Sequence, residues 1–293
     1  MPEEVSIGPR ASFSVQVKDL VVPYPVMALF VLPSEEVELE TIFERPGAEY
    51  RLLVEDGEVS ESEEGRWLWT APPEPGFYPL VIEGPVDTVR LHVFVQQPFR
   101  NGELVHNGYR IGAYQSRPLR GNPRFNAPEG LIEVTEETAS IRVSPSLTLG
   151  SFASHQPGNP RFMALDERLL IKLEMILEHL REEGLDVTTF TVMSGYRTPW
   201  YNASIGNKTR YSLHLYGRAA DIFIDEDGNG RMDDLNGNGR KDVGDARVLY
   251  RLIDDLEDHA WYQPFLGGLG LYGPKPHRGP FVHVDVRGTS ARW

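Results

Sequence analysis

The chain has 293 residues, of which 40% are hydrophobic and 25% charged, a composition typical of folded globular proteins and unlike that of disordered, collagen-like or coiled-coil chains. A chain of this length is expected to form two domains. Acidic residues outnumber basic residues by 43 to 29 and the formal net charge is -14, which argues against nucleic acid or an anionic membrane surface as the main partner. The chain has no cysteine, so disulfides and thiolate metal sites are excluded and any metal must be bound by nitrogen or oxygen.

The sequence contains no apolar run that approaches the roughly 20 residues of a membrane span. Residues 1–10, MPEEVSIGPR, are predicted to form a tail, and they lack the basic region and the apolar stretch of a signal peptide. A mature secreted protein with a replacement Met1 would look the same, so these residues do not decide the location.

Residues 11–98 alternate between apolar and polar side chains in short runs that are separated by turn residues. The runs are FSVQV, VMALFVL, VELETIF, YRLLVE, RWLWTA, FYPLVIE and VRLHVFV. This pattern predicts a seven-stranded antiparallel, immunoglobulin-like β-sandwich with Trp67, Trp69 and Tyr78 in its core. The segment has one histidine, His92, and no tight cluster of carboxylates. We therefore interpret it as an accessory module that binds a wall or protein partner.

Residues 99–150 are a turn-rich connection, and residues 151–293 are predicted to form an α+β domain. Asp166 precedes apolar residues at helical spacing and Gly184 follows them, which predicts a helix between these two residues. Four short strand signals follow the helix: VTTFTVM, AADIFI, GGLGLY and FVHVDV.

Three residues of this second region could meet at one metal ion. His214 and Asp221 are seven residues apart, with Gly217 between them to let the chain turn into a strand, and His283 lies on a later strand. Two histidines and one carboxylate can hold zinc and leave one coordination position for water, as catalytic zinc sites do. On spacing alone, each of the three could instead be a buried, hydrogen-bonded residue.

The sequence blocks around these residues resemble a known family. SGYR, S-x-H-x-x-G-x-A-x-D, GG-x-G-x-Y and FVHVD follow one another in this order. They are similar to blocks of the zinc peptidases that include bacterial D-alanyl-D-alanine carboxypeptidases, murein endopeptidases and the hedgehog signalling domain. The resemblance covers roughly Tyr109 to Trp293, and it is greatest for the murein endopeptidase branch, whose members likewise end in Arg and Trp, here Arg292 and Trp293.

The resemblance implies a hedgehog/D,D-peptidase-like catalytic domain that hydrolyses peptidoglycan stem peptides or cross-links. Carried over to this sequence, it makes His214, Asp221 and His283 the zinc ligands. Arg197 would stabilise the oxyanion that forms during hydrolysis, and Ser212 would bind the substrate backbone or carboxylate. Tyr196, Asn202 and Tyr272 are candidate pocket walls, with packing as the alternative. Such an enzyme is expected in the periplasm or outside the cell.

The general base departs from the pattern of the better-known carboxypeptidases. Those have a Glu, Asp or His two or three residues before the last zinc ligand, where this chain has Phe281 and Pro280. Asp285 is the first candidate because it shares a strand face with His283. His277, in a loop rich in proline and glycine, is the second. Asp285 could instead orient His283.

A second metal signal lies in the insert 225–245, DEDGNGRMDDLNGNGRKDVGD, which contains two overlapping calcium-loop patterns. Positions 1, 3, 5, 6, 9 and 12 of such a loop are filled by Asp234, Asn236, Asn238, Gly239, Asp242 and Asp245 in one frame, and by Asp225, Asp227, Asn229, Gly230, Asp233 and Asn236 in the other. The frame that ends in a carboxylate is predicted to be the better site, with a structural role. The loops resemble extracellular calcium repeats of the dockerin type. The alternative is a solvated loop in which Asp245 caps the following helix.

Two other functions remain open at this level. A hedgehog-like domain could keep zinc for folding or binding and hydrolyse nothing, as the missing base at the usual positions would suggest. A calcium-dependent adhesion or scaffold protein would instead work through its N-terminal module. The sequence does not distinguish a carboxypeptidase from an endopeptidase, or an L,D bond from a D,D bond.

Overall fold

A computed structural model of the protein describes residues 10–42 and 47–293, so the predicted tail lies, except for Arg10, outside the described residues. The first region holds nine described strands: β1 (Ser14–Val17), β2 (Leu20–Val22), β3 (Val26–Val31), β4 (Glu36–Ile42), β5 (Arg51–Val54), β6 (Glu58–Glu63), β7 (Arg66–Thr70), β8 (Gly76–Glu83) and β9 (Thr88–Val95). Each of the seven predicted runs overlaps one of them, and β2 and β6 are additional.

These strands form two sheets, one in the order β2-β1-β4-β7-β6 and one in the order β3-β9-β8-β5. One pairing corrects the all-antiparallel prediction, since β3 and β9 run parallel, with Val26 opposite Arg90. The two strands are far apart in the chain, so no hairpin forces them to be antiparallel. Trp67 and Trp69 are buried as predicted, whereas Tyr78 is only half-buried. The immunoglobulin-like assignment itself stays a prediction.

Residues 97–163, which span the predicted connection 99–150 and its borders with both predicted domains, carry five short strands: β10 (Gln97–Pro98), β11 (Val105–His106), β12 (Tyr109–Arg110), β13 (Gly130–Val134) and β14 (Arg161–Met163). They also carry short 3-10 helices at Leu119–Gly121, Pro123–Phe125, Thr138–Ser140 and Leu149–Phe152. The first region docks on this segment and on the helix after it. The amide of Ala28 donates to the carbonyl of Val143 (2.8 Å), and the amide of Phe30 donates to the carboxylate of Glu167 (3.0 Å).

Helix α1 (Glu167–Glu182) forms where the apolar spacing predicted it. Asp166 is its N-cap, and its side chain accepts a hydrogen bond from the amide of Arg168 (3.0 Å). The apolar face is buried and consists of Leu169, Leu170, Leu173, Ile176, Leu177 and Leu180. Lys172 lies on the same side and is also buried, at 2% exposure.

The rest of the chain builds one mixed sheet with two more helices. Its elements are β15 (Thr191–Ser194), α2 (Pro199–Ser204), β16 (Ala219–Phe223), α3 (Val243–Asp255), β17 (Gly268–Tyr272), β18 (Phe281–Asp285) and β19 (Ala291–Arg292). The strand order is β15-β16-β18-β17-β19, antiparallel except for the parallel pair β17 and β19. Helix α3 packs against β17 and β18, and it also contacts α1. Helices and several sheets together are compatible with the predicted α+β peptidase domain.

Within the described ranges, no helix combines the length and the apolar character that crossing a membrane requires.

Candidate metal centre

The sheet brings four residues into one row. Ser194 on β15 pairs with Asp221 on β16, Asp221 pairs with His283 on β18, and His283 pairs with Gly270 on β17. Residues that lie opposite each other on neighbouring strands point to the same face of the sheet. The strand register therefore places the carboxylate of Asp221 beside the imidazole of His283.

His214 reaches the same face from the 3-10 helix Leu213–Tyr216. That helix ends at Gly217 in the left-handed region (φ 65), and a Cβ there would lie 2.1 Å from the carbonyl oxygen of Ala164, so only glycine fits. The chain then enters β16. A hydrogen bond from the amide of Arg197 to the carbonyl of His214 (3.0 Å) ties the helix to the segment after β15.

Three potential ligand atoms meet at this point. His283 Nδ1 lies 2.8 Å from Asp221 Oδ1 and 3.2 Å from His214 Nε2, and the last two atoms are 3.3 Å apart. Nitrogen and oxygen ligands at about 2.0–2.1 Å from a tetrahedral zinc ion stand about 3.3–3.4 Å from each other. The spacing and the chemistry of the donors therefore fit zinc, as the sequence predicted, and all three residues are buried.

Hydrogen bonds on the outer side of each imidazole fix which nitrogen is free to bind metal. His214 Nδ1 lies 2.7 Å from the carbonyl oxygen of Gly195, which can only accept, so Nδ1 carries the proton and Nε2 keeps its lone pair. His283 Nε2 lies 3.2 Å from a carboxylate oxygen of Asp285, so Nε2 can keep its proton while Nδ1, 2.8 Å from Asp221 Oδ1, is the nitrogen that faces the other two ligand atoms and would bind the metal. Both free nitrogens point to the shared space beside Asp221.

Asp285 is fully buried, and both of its carboxylate oxygens are occupied. Oδ1 accepts hydrogen bonds from the amides of Gly268 (2.7 Å) and Arg287 (3.1 Å), and Oδ2 accepts from His283 Nε2 and from the guanidinium of Arg287 (2.5 Å). The carboxylate contacts the imidazole nitrogen that faces away from the three ligand atoms. This position fits the alternative in which Asp285 orients His283, and it does not bring Asp285 to the proton of an attacking water.

The electrostatics of the cluster keep its carboxylates charged. Burial would raise the pKa of Asp221, but the charges and hydrogen bonds of His214 and His283 outweigh burial and lower it. Burial would also raise the pKa of Asp285, and the hydrogen bonds of His283 and Arg287 reverse this effect. Burial lowers the pKa of His214, which favours the neutral imidazole that a metal requires.

Of the other predicted site residues, Arg197 contacts the cluster, and Ser212 stands two residues before His214 in the chain. The Arg197 guanidinium donates to Asp221 Oδ2 (2.6 Å) and to the hydroxyl of Ser194 (2.8 Å), so Asp221 presents one oxygen to the histidines and the other to the arginine. Ser212 is half-buried and stands immediately before the 3-10 helix, where its side chain makes no capping bond. Arg197 thus contacts one of the three potential ligands, and its role at an oxyanion stays a prediction.

The remaining predicted site residues lie in different surroundings. Tyr196 is 1% exposed and its hydroxyl bonds to that of Tyr114 (2.7 Å), and Asn202 is also buried, so both fit the packing alternative. Tyr272 is half-buried on β17, close to the row that contains His283. His277 is exposed in the turn before β18, and among the described residues no hydrogen bond or ion pair joins it to the cluster.

The insert brings together carboxylates of the earlier calcium frame. Asp225, Asp227 and Asp233 have oxygens within 4.8 Å of one another, and all three are exposed or half-buried. The Asp225 carboxylate accepts hydrogen bonds from the amides of Asn229 (2.9 Å) and Gly230 (2.8 Å). This is the frame that ends in Asn236, not the one predicted to be better.

The later frame is partly used to start a helix. Asp242 is the N-cap of α3 and Asp245 closes a capping box with it, so the predicted cap at Asp245 moves to Asp242. The buried Asp245 carboxylate accepts from the amides of Leu235 (3.0 Å), Asn236 (3.2 Å) and Asp242 (2.7 Å). These bonds occupy the carboxylate on which the preference for this frame rested. The half-buried Asp234 accepts a hydrogen bond from the amide of the exposed Asn238 (3.1 Å) in a turn.

Two residues of the centre were missed by sequence reasoning. Arg287 donates hydrogen bonds to the Asp285 carboxylate. The sequence signal for this contact was the spacing of His283, Asp285 and Arg287 at every second residue, which places their side chains on one face of an extended chain. Lys172 donates to the carbonyl oxygens of Asp285 (2.8 Å) and Phe265 (3.0 Å). A lysine within the apolar face of α1 was its signal.

Residues 150–242 match the family model described as Peptidase M15. The matched segment contains His214 and Asp221 and ends before His283. A search of curated proteins finds no match to this chain. The family match supports the M15 family of zinc peptidases, and the cluster of two histidines and one aspartate supplies the ligands that a zinc-dependent peptidase needs.

Proposed function

We propose that the protein is a zinc metallopeptidase that hydrolyses peptide bonds in the stem peptides or cross-links of peptidoglycan. The observation that carries this proposal is the convergence of His214 Nε2, Asp221 Oδ1 and His283 Nδ1 within 3.3 Å of one another, in a chain with a Peptidase M15 match. The peptidoglycan substrate rests on the resemblance of the sequence blocks to murein endopeptidases.

Each residue around the cluster has a distinct task in this proposal. Zinc held by the three ligands would polarise the scissile carbonyl and lower the pKa of water. Arg197, whose guanidinium is already 2.6 Å from Asp221, would turn its free N–H groups to the developing oxyanion. Asp285 keeps His283 in the tautomer that leaves Nδ1 free. The proton acceptor stays a prediction with the same two candidates, since Asp285 bonds to the nitrogen of His283 that faces away from the ligand atoms and His277 makes no hydrogen bond to the described residues of the cluster.

The test is mass spectrometry of purified muropeptides incubated with the protein, with and without a zinc chelator and with zinc added back. We expect a peptide product whose formation stops on chelation and returns with zinc. The bond that is cut distinguishes a carboxypeptidase from an endopeptidase, and an L,D bond from a D,D bond. Stoichiometric zinc binding without any product would instead support a non-catalytic, hedgehog-like domain.

We further propose that the N-terminal β region is an immunoglobulin-like module that positions the enzyme on the wall, which places the protein outside the cytoplasm. Its contacts with the second region, such as that of Phe30 with Glu167, would hold the two regions in a fixed arrangement. Co-sedimentation of the zinc-free full chain with insoluble peptidoglycan tests this role. A chain that stays in the supernatant at low salt contradicts it.

We also propose that the insert binds calcium through Asp225, Asp227 and Asp233. Three carboxylates with oxygens within 4.8 Å of one another repel each other and attract a cation. The ammonium group of Lys241 now lies 3.0 Å from Asp227 Oδ2 and 3.2 Å from Asp233 Oδ1, so calcium would have to displace it. The proposal predicts that calcium, but not magnesium, raises the melting temperature of the zinc-loaded chain. The matched variant Asp227→Asn, which lacks one of the three carboxylates, should lose most of this rise in melting temperature. An equal shift in both proteins would contradict calcium binding in the insert.

A further inference from the structure

The row of paired residues that contains Asp221 and His283 ends at Gly270 on β17, and the indole ring of Trp293 occupies the space that a side chain at Gly270 would fill. Gly270 pairs with His283, and a Cβ at Gly270 would lie 2.5 Å from Trp293 Nε1. A Cβ at Gly268, two residues earlier on the same face, would lie 2.7 Å from the same ring. The glycines of β17 therefore make a flat bed on which the Trp293 side chain lies beside His283.

Trp293 is held in this place by several contacts. Its indole Nε1 donates to the hydroxyl of Tyr272 (2.7 Å), and its backbone amide donates to the carbonyl of Leu269 (3.2 Å). The Arg287 guanidinium lies 5.1 Å from the centre of the indole ring. The ring centre of Trp293 is 5.3 Å from that of His283.

Despite these contacts, Trp293 is 47% exposed, while the His283 side chain beside it is 10% exposed. A large aromatic ring that is anchored on one side and open on the other offers apolar surface to a ligand. Because its only polar hydrogen is already bonded to Tyr272, the open part of the indole can contact carbon but can donate no further hydrogen bond. This surface suits an aliphatic side chain of a peptide.

We propose that Trp293 is a specificity-determining wall of the substrate site and packs against the aliphatic side chain of the peptide residue next to the scissile bond. The inference rests on the proposed peptidase function. It goes beyond that function in naming the surface that selects the peptide, and it assigns Tyr272 the task of holding the indole in position.

The first test compares Trp293→Ala, Trp293→Phe and Trp261→Ala, the last being a control tryptophan with 44% exposure on another element. On purified muropeptides, we expect Trp293→Ala to lower kcat/KM about 10-fold or more, mainly through KM, with unchanged zinc content. Trp261→Ala should stay within about threefold of the unaltered chain, and Trp293→Phe, which keeps an aromatic ring but loses the hydrogen bond to Tyr272, should fall between the unaltered chain and Trp293→Ala. Unchanged kinetics in Trp293→Ala, or a loss that follows lost zinc, would overturn the proposal.

If Trp293→Ala does not fold, Tyr272→Phe provides the second variant. It removes the hydrogen bond to Nε1 and keeps the stacking of residue 272 on Phe281, whose ring centre is 4.7 Å away. We expect it to raise KM and to leave the melting temperature nearly unchanged. A KM equal to that of the unaltered chain would contradict a positioned wall.

A binding measurement separates this inference from the proposed function. The zinc-free chain is titrated with a stem pentapeptide, and tryptophan fluorescence is recorded for the unaltered chain and for Trp293→Phe. We expect a saturable change in the unaltered chain and the loss of most of it in the variant. Binding without hydrolysis by the zinc-loaded chain would keep the wall and refute the peptidase. Hydrolysis with an equal fluorescence change in both proteins would keep the peptidase and refute the wall.

Discussion

The two candidate metal sites of this protein differ in how their ligands are held. In the cluster of His214, Asp221 and His283, the ligand atoms lie within 3.3 Å of one another, and each residue is buried and fixed by a second contact. In the insert, Asp225, Asp227 and Asp233 are exposed or half-buried, and their oxygens spread over 4.8 Å. Contacts with the surrounding protein fix the three ligands of the first site without a metal, whereas the carboxylates of the insert are positioned only within their own loop.

The difference has a physical origin in the sheet. Strand pairing sets the distance between Asp221 and His283, and a cap with a left-handed glycine returns His214 to the same face. The insert has no strands, so its carboxylates are placed by turns in which they bond to nearby amides. A preformed site loses little conformational entropy when it binds a metal, whereas a solvated loop must be ordered by the ion.

The largest effect is expected from loss of a ligand in the buried cluster. Asp221→Ala removes one of three ligands and leaves Arg197 without its carboxylate partner. We expect zinc affinity to fall by more than the roughly 10- to 100-fold that loss of an outer partner costs, and hydrolysis to stop. Zinc competition titration and muropeptide turnover measure the two effects.

Asp227→Ala is the matched control for that experiment because it removes an aspartate from the insert. It should leave zinc affinity and turnover unchanged. An equal loss of zinc binding in both variants would mean that the two sites are one functional unit and would break the comparison.

A smaller effect is expected from Asp285→Asn, which keeps the shape of the side chain but removes its charge. If Asp285 positions His283 through Nε2, zinc affinity should fall about 10- to 100-fold, because outer partners of metal-bound histidines contribute that much. If Asp285 were the general base, hydrolysis would stop while zinc affinity stayed the same. Measuring both quantities in one preparation separates the two roles.

The buried Lys172, which donates to the backbone carbonyl of Asp285, should make the folding stability depend on pH. Burial lowers the pKa of Lys172 to about 7, while its ordinary value is 10.5. Between these values the unfolded chain binds a proton that the folded chain has released, so folding stability rises with pH. This gain in folding stability is lost as the pH falls toward 7. In urea titrations, the unaltered chain should gain up to about 1.4 kcal/mol per pH unit relative to Lys172→Met. Parallel pH profiles would contradict the shift.

How far the sequence predicted the site depended on the kind of signal each residue left. The helix over 167–182 and the strands around the site follow from periodicity, because apolar residues recur there at helical or alternating spacing. The three metal ligands were assigned through the resemblance of their sequence blocks to a known family, since their spacing alone left a buried, hydrogen-bonded role open. The parallel pairing of β3 with β9 left no such pattern, since it depends on contacts between distant segments. The same holds for the Tyr196 hydroxyl, whose partner Tyr114 lies 82 residues away. Long-range packing decided these features.

The smallest expected effect concerns Lys241, whose ammonium group lies between two carboxylates of the insert. It donates to Asp227 Oδ2 (3.0 Å) and Asp233 Oδ1 (3.2 Å), and the hydrogen bond to Asp227 raises its pKa. The lysine therefore stands where a calcium ion would have to contact the same oxygens. If calcium binds there, it must displace Lys241, and Lys241→Met should tighten calcium binding several-fold because the site loses a competing positive charge. If Lys241 is instead the permanent counterion, the unaltered chain should bind no calcium, and Lys241→Met should melt at a lower temperature than the unaltered chain in the absence of calcium. Calorimetric titration and thermal melting of Lys241→Met, with Lys208→Met as a control outside the insert, decide whether the insert is a metal site or an ion pair within the loop.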